Sequence, residues 1–231
     1  EMNINIKDCE VNIITGTETL EIKGKPQSAV KAADCIISTQ RTYTIAGFMA
    51  NRDKVKIGDR VKLPAFTVPA VEIDGEKKLA FDEKNIRADE AIVIGKDKNG
   101  DFILIFDHCL FESAMDMNDE KRFEMTQLGQ YLQSEFLRTM NGVGIHAESC
   151  GLISKEEMFG DNPLEYFKTG RNRIAFNFDE DCSRYYWLST LYDEEVSVAR
   201  FCSVYYRGNS GYSYANLARH YVRPRFVISA I

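Results

Sequence analysis

Apolar and polar positions alternate in short runs from the start of the chain. Val11-Asn12-Ile13-Ile14, Thr19-Leu20-Glu21-Ile22, Cys35-Ile36-Ile37 and Tyr43-Thr44-Ile45-Ala46 read as strands, with one short helix over Ser28 to Ala33. These runs make residues 1–53 a small β-rich N-terminal segment. A second unit, 54–231, opens with a strand–turn–strand pattern from Val55 to Leu63. Ala91-Ile92-Val93-Ile94-Gly95 and Phe102-Ile103-Leu104-Ile105-Phe106 follow, joined by an Asn99-Gly100 turn, and predict a hairpin. Thr126 then precedes apolar residues at 128, 131, 132 and 136, an N-cap followed by an amphipathic helix that Gly142 ends. Ser154-Lys155-Glu156-Glu157 is a capping box opening a second helix, stopped by Gly160-Asp161-Asn162-Pro163. Three strands close the chain: Tyr185 to Ser189, Arg200 to Tyr206 and Val222 to Ile228, with Arg207-Gly208-Asn209-Ser210-Gly211 as a turn. Hairpins, two helices and a C-terminal β-meander make an α+β pattern. Trp187, Leu188, Val204, Phe226 and Val227 are expected in the core, with Leu128, Tyr131, Leu132 and Phe136 packing as one helix face.

Composition narrows the class. With 231 residues, 44% of them hydrophobic and 28% charged, the chain is long enough for a sizeable core. No apolar run approaches the roughly 20 residues that span a bilayer, and Glu1-Met2-Asn3-Ile4 lacks the basic and apolar parts of a signal peptide. The formal charge of −6 is uneven: from Tyr185 on, five arginines against three acids give +2, leaving −8 before it. An acidic chain repels phosphates at long range, so nucleic acid is not the expected partner. Six cysteines include no C-x-x-C pair, and only three histidines accompany them, which argues against zinc. Cys35, Cys109 and Cys202 lie in apolar runs and read as reduced core thiols of a protein made inside the cell.

Several segments together resemble a known family. Ile57-Gly58-Asp59, the hairpin ending at Phe106-Asp107, Thr126-Gln127-Leu128-Gly129-Gln130-Tyr131-Leu132, Leu152 to Gly160, Tyr186-Trp187-Leu188-Ser189 and Val222-Arg223-Pro224-Arg225-Phe226 are similar, over roughly 54–231, to a prophage-associated domain of unassigned function. That family ends in W-L-R-S and V-R-P-A-F; here Ser189-Thr190 stands for Arg-Ser and Arg225 for Ala. The resemblance implies a C-type-lectin-like fold like that of the variable proteins of diversity-generating retroelements, which display a hypervariable ligand-binding face. It further implies synthesis in a bacterial cytoplasm, display on a phage particle or cell surface, and a protein or glycan receptor, with self-association allowed.

Eight of the eleven tyrosines fall between 185 and 221, among Ser203, Asn209, Ser210, Gly211, Ser213 and Asn216. Tyrosine supplies contact area at low entropy cost and Ser, Gly and Asn supply adaptable hydrogen bonds, as in a paratope. Adenine mutagenesis of Asn codons also yields this residue set, as the resemblance implies. The competing reading is that tyrosine merely favours strands, in which case these rings are buried. The expected contacts are Tyr192, Tyr205, Tyr206, Asn209, Tyr212, Tyr214, Asn216, Arg219 and His220. Trp187 is read as a core anchor rather than a sugar platform. Asp107-His108-Cys109 offers no nucleophile–base pair, because adjacent strand residues point to opposite faces. Asp116 to Glu120 and Asp179-Glu180-Asp181 lack the calcium-loop spacing, and the lectin Glu-Pro-Asn or Gln-Pro-Asp signature is absent. No catalytic residue, metal or cofactor is expected. The alternatives are an enzyme of the formylglycine-generating class, which shares the lectin-like fold, and a structural virion component.

Overall fold

A computed structural model describes residues 2–6, 9–13, 20–23, 40–68, 83–177, 182–195 and 197–229. They fall into two units, 1–39 and 40–231. The expected helix at Ser28–Ala33, the strand at Cys35–Ile37 and the acidic run Asp179–Asp181 lie outside the described residues. In the first unit, β1 (Met2–Ile6), β2 (Cys9–Ile13) and β3 (Leu20–Lys23) form an antiparallel sheet.

The second unit is α+β and built largely of strands. Its six-stranded sheet contains β4 (Thr42–Thr44), β5 (Arg60–Leu63), β8 (Asp89–Lys96), β9 (Phe102–Phe106), β12 (Ser149–Gly151) and β18 (Arg225–Ile228), in the order β12-β18-β9-β8-β5-β4. Between β5 and β8 lies a separate hairpin, β6 (Phe66–Val68) with β7 (Lys84–Ile86). A five-stranded sheet contains β11 (Phe111–Ser113), β14 (Tyr186–Leu191), β15 (Arg200–Val204), β16 (Ser210–Tyr214) and β17 (His220–Val222), in the order β11-β17-β14-β15-β16. A short parallel pair, β10 (His108–Cys109) with β13 (Phe176–Asn177), adjoins them.

The central strands are apolar without a break because both of their faces are covered. Alternation sorts them into two cores. Ala91, Val93, Phe102, Leu104 and Phe106 join Trp187, Phe201, Phe226 and the long helix in one. Ile92, Ile94, Ile103 and Ile105 join Tyr186, Leu188, Cys202, Val204 and Phe167 in the other. The helix comprises α2 (Gln127–Tyr131), a π-helical stretch Leu132–Phe136 and α3 (Leu137–Gly142). Thr126 Oγ1 caps it by accepting from Gly129 N at 3.0 Å. Gly129 has no substitute: a Cβ there would stand 2.0 Å from the Phe123 carbonyl oxygen. Leu128, Tyr131, Leu132 and Phe136 are buried along one face, as the spacing predicts. The capping box at Ser154 opens α4 (Lys155–Phe159) with both reciprocal hydrogen bonds.

Three local expectations differ. The strand at Tyr43 stops at Thr44, whose hydroxyl accepts from Gly47 N and starts the helix α1 (Ile45–Ala50). The terminal segment is not a three-stranded meander: Ser210–Tyr214 continues past its turn as β16, and His220–Val222 forms β17, which crosses back to pair in parallel with β14. Val222 to Ile228 is also not one strand: at Arg223-Pro224 the chain passes from the five-stranded to the six-stranded sheet. Cys109, Cys150 and Cys202 are buried thiols outside any disulfide. Among the described residues, no helix is long and apolar enough to cross a membrane.

Candidate functional site

The tyrosine-rich end is built on β14, β15 and β16. The β15–β16 hairpin turns through Tyr205–Asn209, closed by Tyr205 N donating to the Asn209 carbonyl (2.8 Å) and Gly208 N to that of Tyr205 (2.7 Å). Gly208 takes the left-handed conformation, φ 78°, that this turn requires. The register then places Arg200 opposite Tyr214, Cys202 opposite Tyr212 and Ser203 opposite Gly211.

Alternation along these strands divides the expected contacts between the two faces of the sheet. On the face that carries Cys202 and Val204, Tyr192 stacks on Tyr212 with ring centroids 3.8 Å apart and planes 17° from parallel. The Arg200 guanidinium lies on the same face, 5.0 Å from the Tyr214 ring centroid and 5.7 Å from that of Tyr212. On the opposite face, which carries Trp187, Phe201 and Ser203, Tyr185 meets Tyr205 edge-on at 5.1 Å, Tyr206 at 5.6 Å and His220 at 5.9 Å. The Tyr205 ring fills the space that a side chain on Gly211 would occupy, 2.2 Å from an ideal Cβ. Asn209, Asn216 and Arg219 are exposed in the flanking turns.

Tyr192, Tyr205, Tyr206, Tyr212 and Tyr214 are each between 37% and 45% exposed. They are half-open rings held by other rings or, at Tyr214, by the Arg200 guanidinium, not core residues. His220 is different. It stacks on buried Trp187, its Nδ1 is buried without a hydrogen-bond partner among the described residues, and burial lowers its pKa to about 4. Tyr185 and Arg200 complete the two clusters and were not among the expected contacts. Arg200 enters only through its register with Tyr214, which sequence spacing does not reveal.

The remaining candidate chemistry has structural partners. His108 Nδ1 pairs with buried Asp89 at 2.8 Å, which raises the imidazole pKa, while Asp107 accepts from Arg60. Cys109 is pushed up to about 12 by burial, so it is held as a thiol. Asp116 spends its oxygens on the backbone N–H groups of Asn118, Glu120 and Gln127, which closes the loop before the helix. Among the described residues, no three His, Cys, Asp or Glu side chains converge. Compared with known proteins, the chain matches no family model, no curated protein and no solved structure.

Proposed function

We propose that this chain is a non-catalytic ligand- or receptor-binding protein of phage or prophage origin, whose outer strands display a tyrosine-rich surface on a C-type-lectin-like scaffold. The observation that carries the reading is the exposure of Tyr192, Tyr205, Tyr206, Tyr212 and Tyr214 on the two faces of the outer strands, pre-ordered by contacts with neighbouring rings and Arg200. Rings held in place before contact lose little freedom on binding, and each brings a broad apolar face with a polar tip. Ser210, Ser213, Asn209 and Asn216 around them supply adaptable hydrogen bonds.

The test is binding of the purified chain to intact bacterial cells and to a glycan array, with and without the double substitution Tyr205→Ala/Tyr212→Ala. Removing two central rings is expected to weaken binding by about 2 kcal/mol or more per ring. The melting temperature is expected to move by only a few degrees, since both rings are half exposed. Unchanged binding by the folded double variant overturns the reading.

A further inference from the structure

The outer strand of the five-stranded sheet is an open edge, and its composition gives it no protection. Proteins usually blunt such edges with Lys, Pro, bulges or very short strands. The other edge strands of the two large sheets, β4, β11 and β12, are three residues each. β16 has five, Ser210-Gly211-Tyr212-Ser213-Tyr214, with no charge, no proline and an unbroken register against β15.

The direction of its backbone groups follows from the ladder. Tyr205 N donates to Asn209 O at one end and Ala215 N to Ala199 O at the other. Phe201↔Ser213 and Ser203↔Gly211 share that parity and are the hydrogen-bonded pairs. Ser210, Tyr212 and Tyr214 therefore turn their N–H and C=O groups away from β15. Leu217 N occupies the Tyr214 carbonyl at 3.1 Å. The N–H groups of all three residues, and the carbonyls of Ser210 and Tyr212, have no hydrogen-bond partner among the described residues.

We propose that β16 receives an extended, acidic peptide segment of a protein ligand as a sixth strand. This rests on the binding reading above and names the ligand class for that surface. Donors and acceptors recurring every two residues, about 6.8 Å apart, match another extended main chain; the hydroxyls of a sugar have no such repeat. Tyr212 and Tyr214 flank one side of the incoming strand and Tyr205 the other, giving its alternate side chains two aromatic walls. Arg200 lies over the Tyr212 and Tyr214 rings and Arg207 over Tyr206 in the adjoining turn, and neither has an ion-pair partner among the described residues. Carboxylates on the peptide complement them, whereas a second copy of β16 would bring like charges together.

The experiment uses the full chain and three probes read by fluorescence anisotropy: a labelled Thr-Glu repeat peptide, the same peptide N-methylated on every residue so that neither strand edge keeps a donor, and a Thr-Lys repeat. The Thr-Glu peptide is expected to bind, the N-methylated form at least about ten-fold more weakly, and the Thr-Lys peptide not at all. Tyr212→Pro, which deletes one outward N–H at an edge position that tolerates proline, is expected to lose more affinity than Tyr212→Ala. Should Tyr212→Pro fail to fold, the N-methylated probe on the unaltered chain decides. Equal binding of the two Thr-Glu peptides, or none by either, overturns the added strand. If tyrosine-dependent binding to cells or glycans persists in that case, the binding reading survives alone. A dimer in sedimentation that Tyr212→Pro dissolves would instead assign the edge to a second copy and overturn the peptide.

Discussion

Trp187 and His220 stack with ring centroids 4.2 Å apart and planes 24° from parallel, tying β14 to its parallel neighbour β17 beneath the Tyr185–Tyr205 cluster. Burial lowers the imidazole pKa from 6.5 to about 4. As pH falls below 6.5, the unfolded chain takes up a proton that the folded imidazole refuses until about pH 4. Stability from this residue is therefore full above 6.5 and falls progressively between 6.5 and 4. His108 acts in a different window: its raised pKa contributes stability that is full below 6.5 and is lost as pH rises through the folded value, so it leaves the slope between 6.5 and 4 to His220. His220→Phe should keep the stack and flatten the acid side of a urea-midpoint against pH profile. An unchanged slope between pH 6.5 and 4 would show that the imidazole titrates normally.

The indole of Trp187 is wholly buried and its Nε1 donates to the Ser113 carbonyl at 2.8 Å, tying β14 to β11 on the far side of β17. Trp187→Phe removes volume and leaves that carbonyl unsatisfied, so it should cost about 2–4 kcal/mol. Chemical denaturation measures this directly; a loss below about 1 kcal/mol would place the indole outside the core.

Gly211 and Tyr205 compete for the same space. Gly211→Ala should expel the Tyr205 ring and destabilise the hairpin by about 1–3 kcal/mol. In a Tyr205→Ala background the same change should be nearly neutral. A double-mutant cycle gives the coupling, and simple additivity would refute the packing.

Arg223 is buried, with Nε donating to the Phe106 carbonyl at 2.8 Å and Nη1 lacking a partner among the described residues. Its guanidinium carbon lies 5.6 Å from the Tyr186 ring centroid. A buried charge without a carboxylate adds little net stability, so Arg223→Met should fall within about 1 kcal/mol of the parent or exceed it. Calorimetric melting of the two proteins settles the sign.

Much of the second unit was legible locally. The Asn99-Gly100 hairpin, the Thr126 and Ser154 caps and the apolar stripe of the long helix depend on residues within a turn or two of each other. Thr44 was legible as well, but the β-branched run around it masked its capping role. Ser210–Tyr214 reads as a continuing turn because Ser, Gly and Asn favour turns; pairing with β15 overrides that preference. The parallel contact of Tyr186 with Tyr221 carries no local trace at all.

The same division runs through the candidate surface. That the tyrosines cluster at the C-terminal end, and that neighbouring strand residues oppose each other, can be read from the chain alone, because composition and the two-residue strand period are local properties. Strand pairing in the folded chain sets Tyr192, Tyr212 and Tyr214 on one face with Arg200 and Tyr205 on the other with Tyr185 and His220. It also leaves β16 at a sheet edge and draws His220 against Trp187. A strand's period fixes which residues share a face, but which face is buried and which edge stays open depend on strands far away in the chain that the period cannot specify.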